Sequence, residues 1–235
     1  MQREKIVVIE DESDILELIQ YNLKREGYSV LTSTNGEEGL DLVRRENPDL
    51  VLLDLMLPGR DGIEVCKRLK SDPVSRNIPI VMVTAKGEES EVVLGLGVGA
   101  DDYVTKPFSP KELMARVNAV LRRGQLKDEQ GEGERIVRDK IVIDAARHEV
   151  TVDGDPVTFT ATEFRLLHFL AAHPGRVFKR DQLLNRVIGE DAFVHDRNID
   201  VHVRSIRKKL NRRRDVIETI RGVGYRFRDR QGAPV

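Results

Sequence analysis

Two four-residue runs, Ile6–Ile9 and Leu50–Leu53, are apolar at every position. A strand with one wet face alternates, so an uninterrupted run reads as a strand covered on both faces, as in a parallel sheet. Three further runs, Ser29–Leu31, Ile80–Val83 and Tyr103–Val104, follow in the same half of the chain. Between them the spacing turns helical. Ile15, Leu18, Ile19 and Leu23 share one helix face, as do Leu40 and Val43, and later Leu113, Val117, Val120 and Leu121. Ser13 stands where it can cap the first of these helices. Strands alternating with helices require crossover connections, so residues 1–123 are expected to form an α/β domain. Its core would be a doubly wound, five-stranded parallel sheet, flavodoxin-like, with five helices.

The rest of the chain has a different pattern. Short alternating stretches, Ile141–Asp144 and His148–Asp155, suggest small antiparallel strands with Asp153-Gly154 as a turn. Helical patterns follow near Thr162–Ala172, Arg180–Val187 and Arg197–Leu210, and Val216–Phe227 reads as a hairpin turning on Gly222 and Gly224. Charge divides at the same place. Residues 1–123 carry 17 Lys/Arg against 22 Asp/Glu, and residues 135–235 carry 21 against 14. The intervening residues 124–134 hold three glycines and one apolar residue, and are expected to be a flexible linker. An acidic first domain and a basic second one point the second towards nucleic acid.

Other classes are excluded by composition. The longest uncharged apolar stretch, Val92 to Ala100, is nine residues, against the ~20 of a membrane-spanning helix. Glu10 interrupts the N-terminus before a secretory segment could form, so the chain reads as cytoplasmic. A single cysteine, Cys66, permits neither an internal disulfide nor a Cys-rich metal site, and with Val65 and Leu69 it reads as core packing.

In a doubly wound sheet, ligands bind beyond the carboxyl ends of the strands. The polar residues expected there are Glu10, Asp11 and Glu12 after the first strand, Asp54 at the third, Thr84 at the fourth and Lys106 after the fifth. Hard carboxylate oxygens suit Mg²⁺. An Asp beside Mg²⁺ and a lysine is a candidate nucleophile towards a phosphoryl group, whose oxygens the ammonium and the Thr hydroxyl would hold. An aspartate-based phosphatase of the haloacid dehalogenase type would need a second Asp two residues after the nucleophile, where this chain has Met56. A nucleotide-binding domain would need a Gly/Ser/Thr-rich loop after the first strand, where this chain is acidic.

Glu10-Asp11, Asp54 within Leu-Leu-Asp-Leu-Met-Leu-Pro-Gly-Arg-Asp-Gly, Thr84-Ala85 and Lys106-Pro107-Phe108 together resemble the receiver domain of two-component response regulators. The resemblance implies that Asp54 accepts phosphate from a sensor histidine kinase. It implies that Glu10, Asp11, Asp54 and the Met56 carbonyl ligate Mg²⁺. Thr84 and Tyr103 would be a switch pair that moves inward, and Lys106–Pro107 would be a cis peptide. Slow self-dephosphorylation, not enzymatic turnover, is the expected chemistry.

In the basic half, Ile199, Val203, Ile206 and Leu210 form one helical stripe, and Arg197, Val201, Arg204, Ser205 and Lys208 lie opposite. Cations on successive turns, with a small apolar residue among them, suit insertion into a major groove. Arg212, Arg213 and Arg214 would extend the positive field, and Arg221 at the hairpin tip could enter a minor groove. Thr160-Ala-Thr-Glu-Phe-Arg-Leu-Leu, Asn198-Ile-Asp-Val-His-Val-Arg and Thr219-Ile-Arg-Gly-Val-Gly-Tyr-Arg-Phe resemble the winged helix-turn-helix α+β output domain of the OmpR/PhoB family. Arg76-Asn-Ile-Pro-Ile-Val-Met-Val-Thr-Ala-Lys resembles its phosphate-regulon members. The resemblance implies DNA contacts at Arg197, Asn198, Val201, His202, Arg204, Ser205, Arg207, Lys208, Thr219 and Arg221. It implies a homodimer on phosphorylation, with Asp101, Asp102, Glu112, Arg116 and Arg123 at its interface, and RNA polymerase as a partner.

The chain departs from relatives in places. Val92 replaces a cation that would pair with Glu112, Ser205 stands where phosphate-regulon relatives tend to have a base-contacting arginine, and Ile188–Phe193 lacks a Trp. Gly95, Gly97 and Gly99 fall in the expected fourth helix. Each interior glycine costs ~1 kcal/mol relative to alanine, so that helix is expected to be the softest of the domain. An enzyme whose basic half only docks substrate is disfavoured, since the five histidines have no metal-ligand spacing. The reading is a phosphorylation-activated transcriptional regulator that binds promoter DNA, with no membrane association.

Overall fold

The computed structural model describes residues 3–58, 61–85, 95, 98–125, 135–188 and 197–229. The chain divides into two compact units, Met1–Gly124 and Gln125–Val235.

The first unit runs β1 (Lys5–Ile9), α1 (Ser13–Arg25), β2 (Ser29–Ser33), α2 (Gly36–Glu46), β3 (Leu50–Asp54), α3 (Gly62–Ser71), β4 (Ile80–Ala85), β5 (Asp102–Lys106) and α4 (Pro110–Gln125). The strands are all parallel, in the order β2-β1-β3-β4-β5. Every residue of β3 is buried, as its unbroken apolar run requires. One side of the sheet packs Ile6, Val8, Leu50, Leu52, Val81, Val83 and Val104 against Ile19 and Leu23 of α1 and Leu113, Val117 and Val120 of α4. Cys66 is buried, and burial pushes its thiol up to about 12.

Local chemistry sets the helix starts. Asn35 and Asp61 cap α2 and α3 by accepting the N–H groups of Glu38 and Ile63 at 2.9 and 2.8 Å. The expected cap at Ser13 does not form. Ser13 is the first helical residue, and Glu12 in the cap position makes no capping bond because its carboxylate goes to Lys106. Helix α4 runs to Gln125, two residues into the stretch read as linker. Of the segment expected to carry the fourth of five helices, only Gly95 and residues 98–100 are described. Gly95 and Val98 are helical, and Gly99 has a φ of 115°, the cap conformation.

The second unit opens with β6 (Arg135–Arg138), β7 (Ile141–Asp144), β8 (Glu149–Val152) and β9 (Asp155–Pro156), an antiparallel sheet in that order. Then come α5 (Ala161–Ala172), β10 (Phe178–Lys179), α6 (Arg180–Ile188), α7 (Arg197–Leu210), a 3₁₀ segment Asn211–Val216, and the hairpin β11 (Ile217–Ile220) and β12 (Gly224–Phe227). The hairpin is closed by β10, which pairs with β12. The core draws on the first sheet (Ile141, Ile143), α5 (Leu166, Leu167, Leu170), α6 (Leu183), α7 (Ile199, Val203, Ile206, Leu210) and the hairpin (Ile217, Phe227).

Gly224 is not a turn residue. The turn is Arg221–Val223, with Gly222 at φ 73°, and Gly224 is paired with Ile220 in the strand ladder. A Cβ at Gly224 would overlap the Phe178 carbonyl oxygen and lie 2.9 Å from its carbon, so close backbone approach explains this glycine.

Candidate functional site

The strand order of the first unit reverses between β1 and β3, which opens a crevice at their carboxyl ends. Glu10 follows β1, Asp54 ends β3, Thr84 lies in β4 and Lys106 ends β5, with Ala85 and Lys106 in register. Gly62 makes room for this arrangement. Its N–H donates to the Leu55 carbonyl at 3.0 Å, and a Cβ there would overlap the Asp54 carbonyl oxygen.

Lys106 gathers the acidic groups. Its Nζ lies 2.9 Å from Glu10 Oε1, 2.8 Å from Glu12 Oε1 and 2.9 Å from Asp54 Oδ2. Glu10 and Asp54 are each 1% exposed, and Thr84 is buried. Asp54 Oδ1 accepts the Met56 N–H at 3.1 Å. Burial disfavours the Glu10 carboxylate, and with Asp54 beside it the group is pushed up to about 7, against the pull of Lys106. Burial also works against the Lys106 ammonium, but the carboxylates of Glu12, Asp54 and Glu10 outweigh it and hold the lysine above its usual value.

Two buried oxygens at the mouth, Glu10 Oε2 and Asp11 Oδ1, have no hydrogen-bond partner among the described residues. Oxygens of Glu10, Glu12 and Asp54 lie within 4.8 Å of one another. Unsatisfied hard oxygens beside a carboxylate cluster fit a small divalent cation. Sequence reasoning placed Glu12 at this strand end but gave it no role. Its reach to Lys106 depends on how the loop after β1 bends.

Tyr103 is already buried, with the Arg116 guanidinium 5.7 Å from its ring centre. Lys106–Pro107 is cis. Within the single chain, the described residues of the expected interface set have partners of their own. Asp101 is fully buried, bonded to Lys70 and to the Ile80 N–H, and Asp102 and Arg116 form a buried pair within the chain at 3.1 Å. Polar groups at the start of β5 face inward because these cations meet them there. Glu112, expected to receive no cation from position 92, has Arg116 of its own helix at 3.1 Å. The side chain of Arg123, and Val92, lie outside the described residues.

In the second unit, Ile199, Val203, Ile206 and Leu210 face the core, while Arg204 and Lys208 are exposed and Val201 is half-buried. His202 is 0% exposed and is not available to a groove. It lies three residues after Ile199 and four before Ile206, so helix geometry places it on the buried stripe. Arg207 turns to the hairpin instead, donating to the Ile217 carbonyl at 2.7 Å and the Thr219 hydroxyl at 2.8 Å. These bonds tie α7 to β11. Arg213 does not extend an open positive field, because its guanidinium is held by Asp139 in the β6–β7 turn and Asp153 in the β8–β9 turn. Arg221 is exposed at the hairpin tip. The side chains of Arg197 and Asn198, and residues 189–196, lie outside the described residues.

Ser205 is half-buried and donates to Glu163. Sequence reasoning also missed the Tyr225 hydroxyl, which donates to Asp200 at 2.8 Å beside the Arg180 bond to the same oxygen at 2.7 Å. The Thr160-x-x-Glu163 spacing of a capping box was the signal that could have drawn attention to Glu163.

Comparison with known proteins agrees with both halves. Residues 6–118 match the response regulator receiver domain family, and residues 154–227 match the family described as transcriptional regulatory protein, C terminal. The phosphate regulon transcriptional regulatory protein PhoB of Rhizobium meliloti is 49% identical over 224 residues, 94% of this chain and 97% of that protein. The alkaline phosphatase synthesis transcriptional regulatory protein PhoP of Bacillus subtilis is 45% identical over 236 residues, 96% and 97% of the two chains. Among solved structures, a RitR mutant aligns with TM-score 0.77 and 25% identity over 96% of this chain and 99% of that one. Response regulator DrrB of Thermotoga maritima aligns with TM-score 0.51 and 33% identity over 97% and 100%. A receiver domain followed by a DNA-binding output domain, at these identities and along nearly the whole length, makes this chain a member of the OmpR/PhoB family of response regulators, of the phosphate-regulon type, and a phosphorylation-dependent regulator of transcription.

Proposed function

We propose that Asp54 is the phosphoacceptor of this regulator and that a sensor histidine kinase is its donor. The observation that carries this is the Lys106 ammonium bridging Asp54 and Glu10 beside the unsatisfied oxygens of Glu10 and Asp11. A carboxylate oxygen of Asp54 attacks phosphorus, the phosphorus–nitrogen bond of the phosphohistidine breaks, and the imidazole leaves carrying the electron pair. Lys106 then has a phosphoryl oxygen to hold in place of the Asp54 oxygen, and the Thr84 hydroxyl donates to another. Glu10, Asp11, Asp54 and the Met56 carbonyl would hold Mg²⁺, which neutralises charge on the phosphoryl oxygens when bound.

In the second unit, α7 carries Arg204 and Lys208 on its exposed face, and Arg221 stands at the wing tip. This arrangement supports insertion of the helix into a major groove of double-stranded promoter DNA, with the wing on an adjacent minor groove. Phosphorylation would dimerise the protein and place two such helices on tandem half-sites, for RNA polymerase to meet in the cytoplasm.

Incubation with Mg²⁺ and a small phosphodonor tests the assignment. The wild-type chain should take up one hydroxylamine-sensitive phosphate, and Asp54→Asn should take up none. Equal labelling of the variant would show another nucleophile.

A further inference from the structure

Glu163 is the third residue of α5 and is buried. Its Oε2 accepts the Thr160 N–H at 2.8 Å, the return half of a capping box. A box needs nothing further, yet this carboxylate has two more donors. Oε1 accepts the Ser205 hydroxyl, and Oε2 pairs with the Lys209 ammonium. Lys209 is held a second way, with its Nζ 5.5 Å from the centre of the buried Phe159 ring.

Ser205 and Lys209 are four residues apart on α7, so they lie one above the other on a single face. Arg204 and Lys208, the exposed cations, each stand one residue earlier and roughly 100° around the helix. Apolar packing of Ile199, Val203, Ile206 and Leu210 holds α7 against the core but is non-directional. Hydrogen bonds are directional, and two of them one turn apart fix the rotation of a helix about its axis.

We propose that Glu163 sets the angle at which α7 presents Arg204 and Lys208 to DNA, with Ser205 and Lys209 acting as positioning residues. The proposal rests on the reading of α7 as the DNA-facing helix. Ser205 then influences sequence preference through the helix that it holds, with its hydroxyl turned to α5.

The test uses the full chain treated with a small phosphodonor. It is titrated, at two salt concentrations, against the duplex it selects from a random-sequence library and against a scrambled duplex. Ser205→Ala should lower the preference for the selected duplex roughly three- to tenfold, the worth of one net hydrogen bond. In a Glu163→Ala background, where the shared partner is gone, it should cause no further loss, because effects routed through one shared partner do not add. The Thr160 hydroxyl still accepts the N–H of residue 163 in that background, and thermal unfolding checks that each variant folds. Lys209→Met gives an arm independent of Glu163→Ala: preference should fall while the slope of log affinity against log salt stays unchanged. A lysine resting on phosphate would instead lower that slope by about 0.9. An equal Ser205→Ala loss in both backgrounds, or a reduced slope in Lys209→Met, would place that side chain on DNA and overturn the proposal. Arg204→Ala separates the two levels. Intact binding in that variant removes α7 from the DNA and the proposal with it. A loss there, with full preference in Ser205→Ala and Lys209→Met, overturns the positioning role alone.

Discussion

Lys70 Nζ lies 2.9 Å from Asp101 Oδ2, and both side chains are buried. The same ammonium donates to the Ile78 carbonyl at 2.8 Å, and the same carboxylate oxygen accepts the Ile80 N–H at 2.9 Å. The pair therefore fastens the end of α3 to the entrances of β4 and β5.

Removing one member of such a pair leaves a charge buried without its counter-ion, a cost of ~3–5 kcal/mol. Lys70→Met should lower the stability of the first unit by that order in denaturant titrations of the full chain. Adding Asp101→Asn should restore part of the loss, since an amide oxygen can still accept the Ile80 N–H. If the double variant is less stable than Lys70→Met, the charge is not what makes the single change costly.

At the acidic crevice, Lys106 is the counter-ion for three carboxylates. Lys106→Met should destabilise the metal-free protein, because like charges are left within 4.8 Å of one another. If Mg²⁺ is held there as proposed, it would replace the missing cation, and a ligand that binds only the folded state raises its stability by mass action. Thermal scans with and without saturating Mg²⁺ should show a larger upward shift in the variant than in wild type. An equal or smaller shift would separate the cation site from Lys106.

The two wing glycines should respond differently to alanine. Gly222 needs a positive φ but has open space around its Cβ position, so Gly222→Ala should cost on the order of 1 kcal/mol. Gly224→Ala drives a methyl into the Phe178 backbone and should cost at least ~2 kcal/mol, with loss of amide protection in β10. Equal costs in unfolding measurements would mean that β10 yields readily.

What was legible in the sequence followed from local periodicity. The runs Ile6–Ile9 and Leu50–Leu53 mark strands covered on both faces, and once they are placed, Glu10, Asp54 and Lys106 fall at strand ends. The stripe Ile199, Val203, Ile206, Leu210 located the buried face of α7 for the same reason. Partners distant in sequence were not legible. Asp101 looks like a surface acid until Lys70, 31 residues away, comes to meet it. Arg213 looks like an open cation until Asp153, 60 residues away, takes it. His202 was misplaced for a different reason. Its spacing from Ile199 and Ile206 already put it inside, and family resemblance overrode that geometry. Among the expected soft-helix glycines, Gly95 has a packing role, because a Cβ there would overlap the Met82 sulfur.

The position of Cys66 has a practical consequence for studying the switch. A thiolate is the reactive form of cysteine, and here burial suppresses both its formation and its contact with reagents. The native chain therefore carries no accessible thiol. A cysteine introduced on α1, on the wing or beside the acidic crevice would be the one group to take up a maleimide dye or spin label. Distances within each unit can then be followed during phosphorylation without first replacing the natural cysteine and disturbing the core it fills.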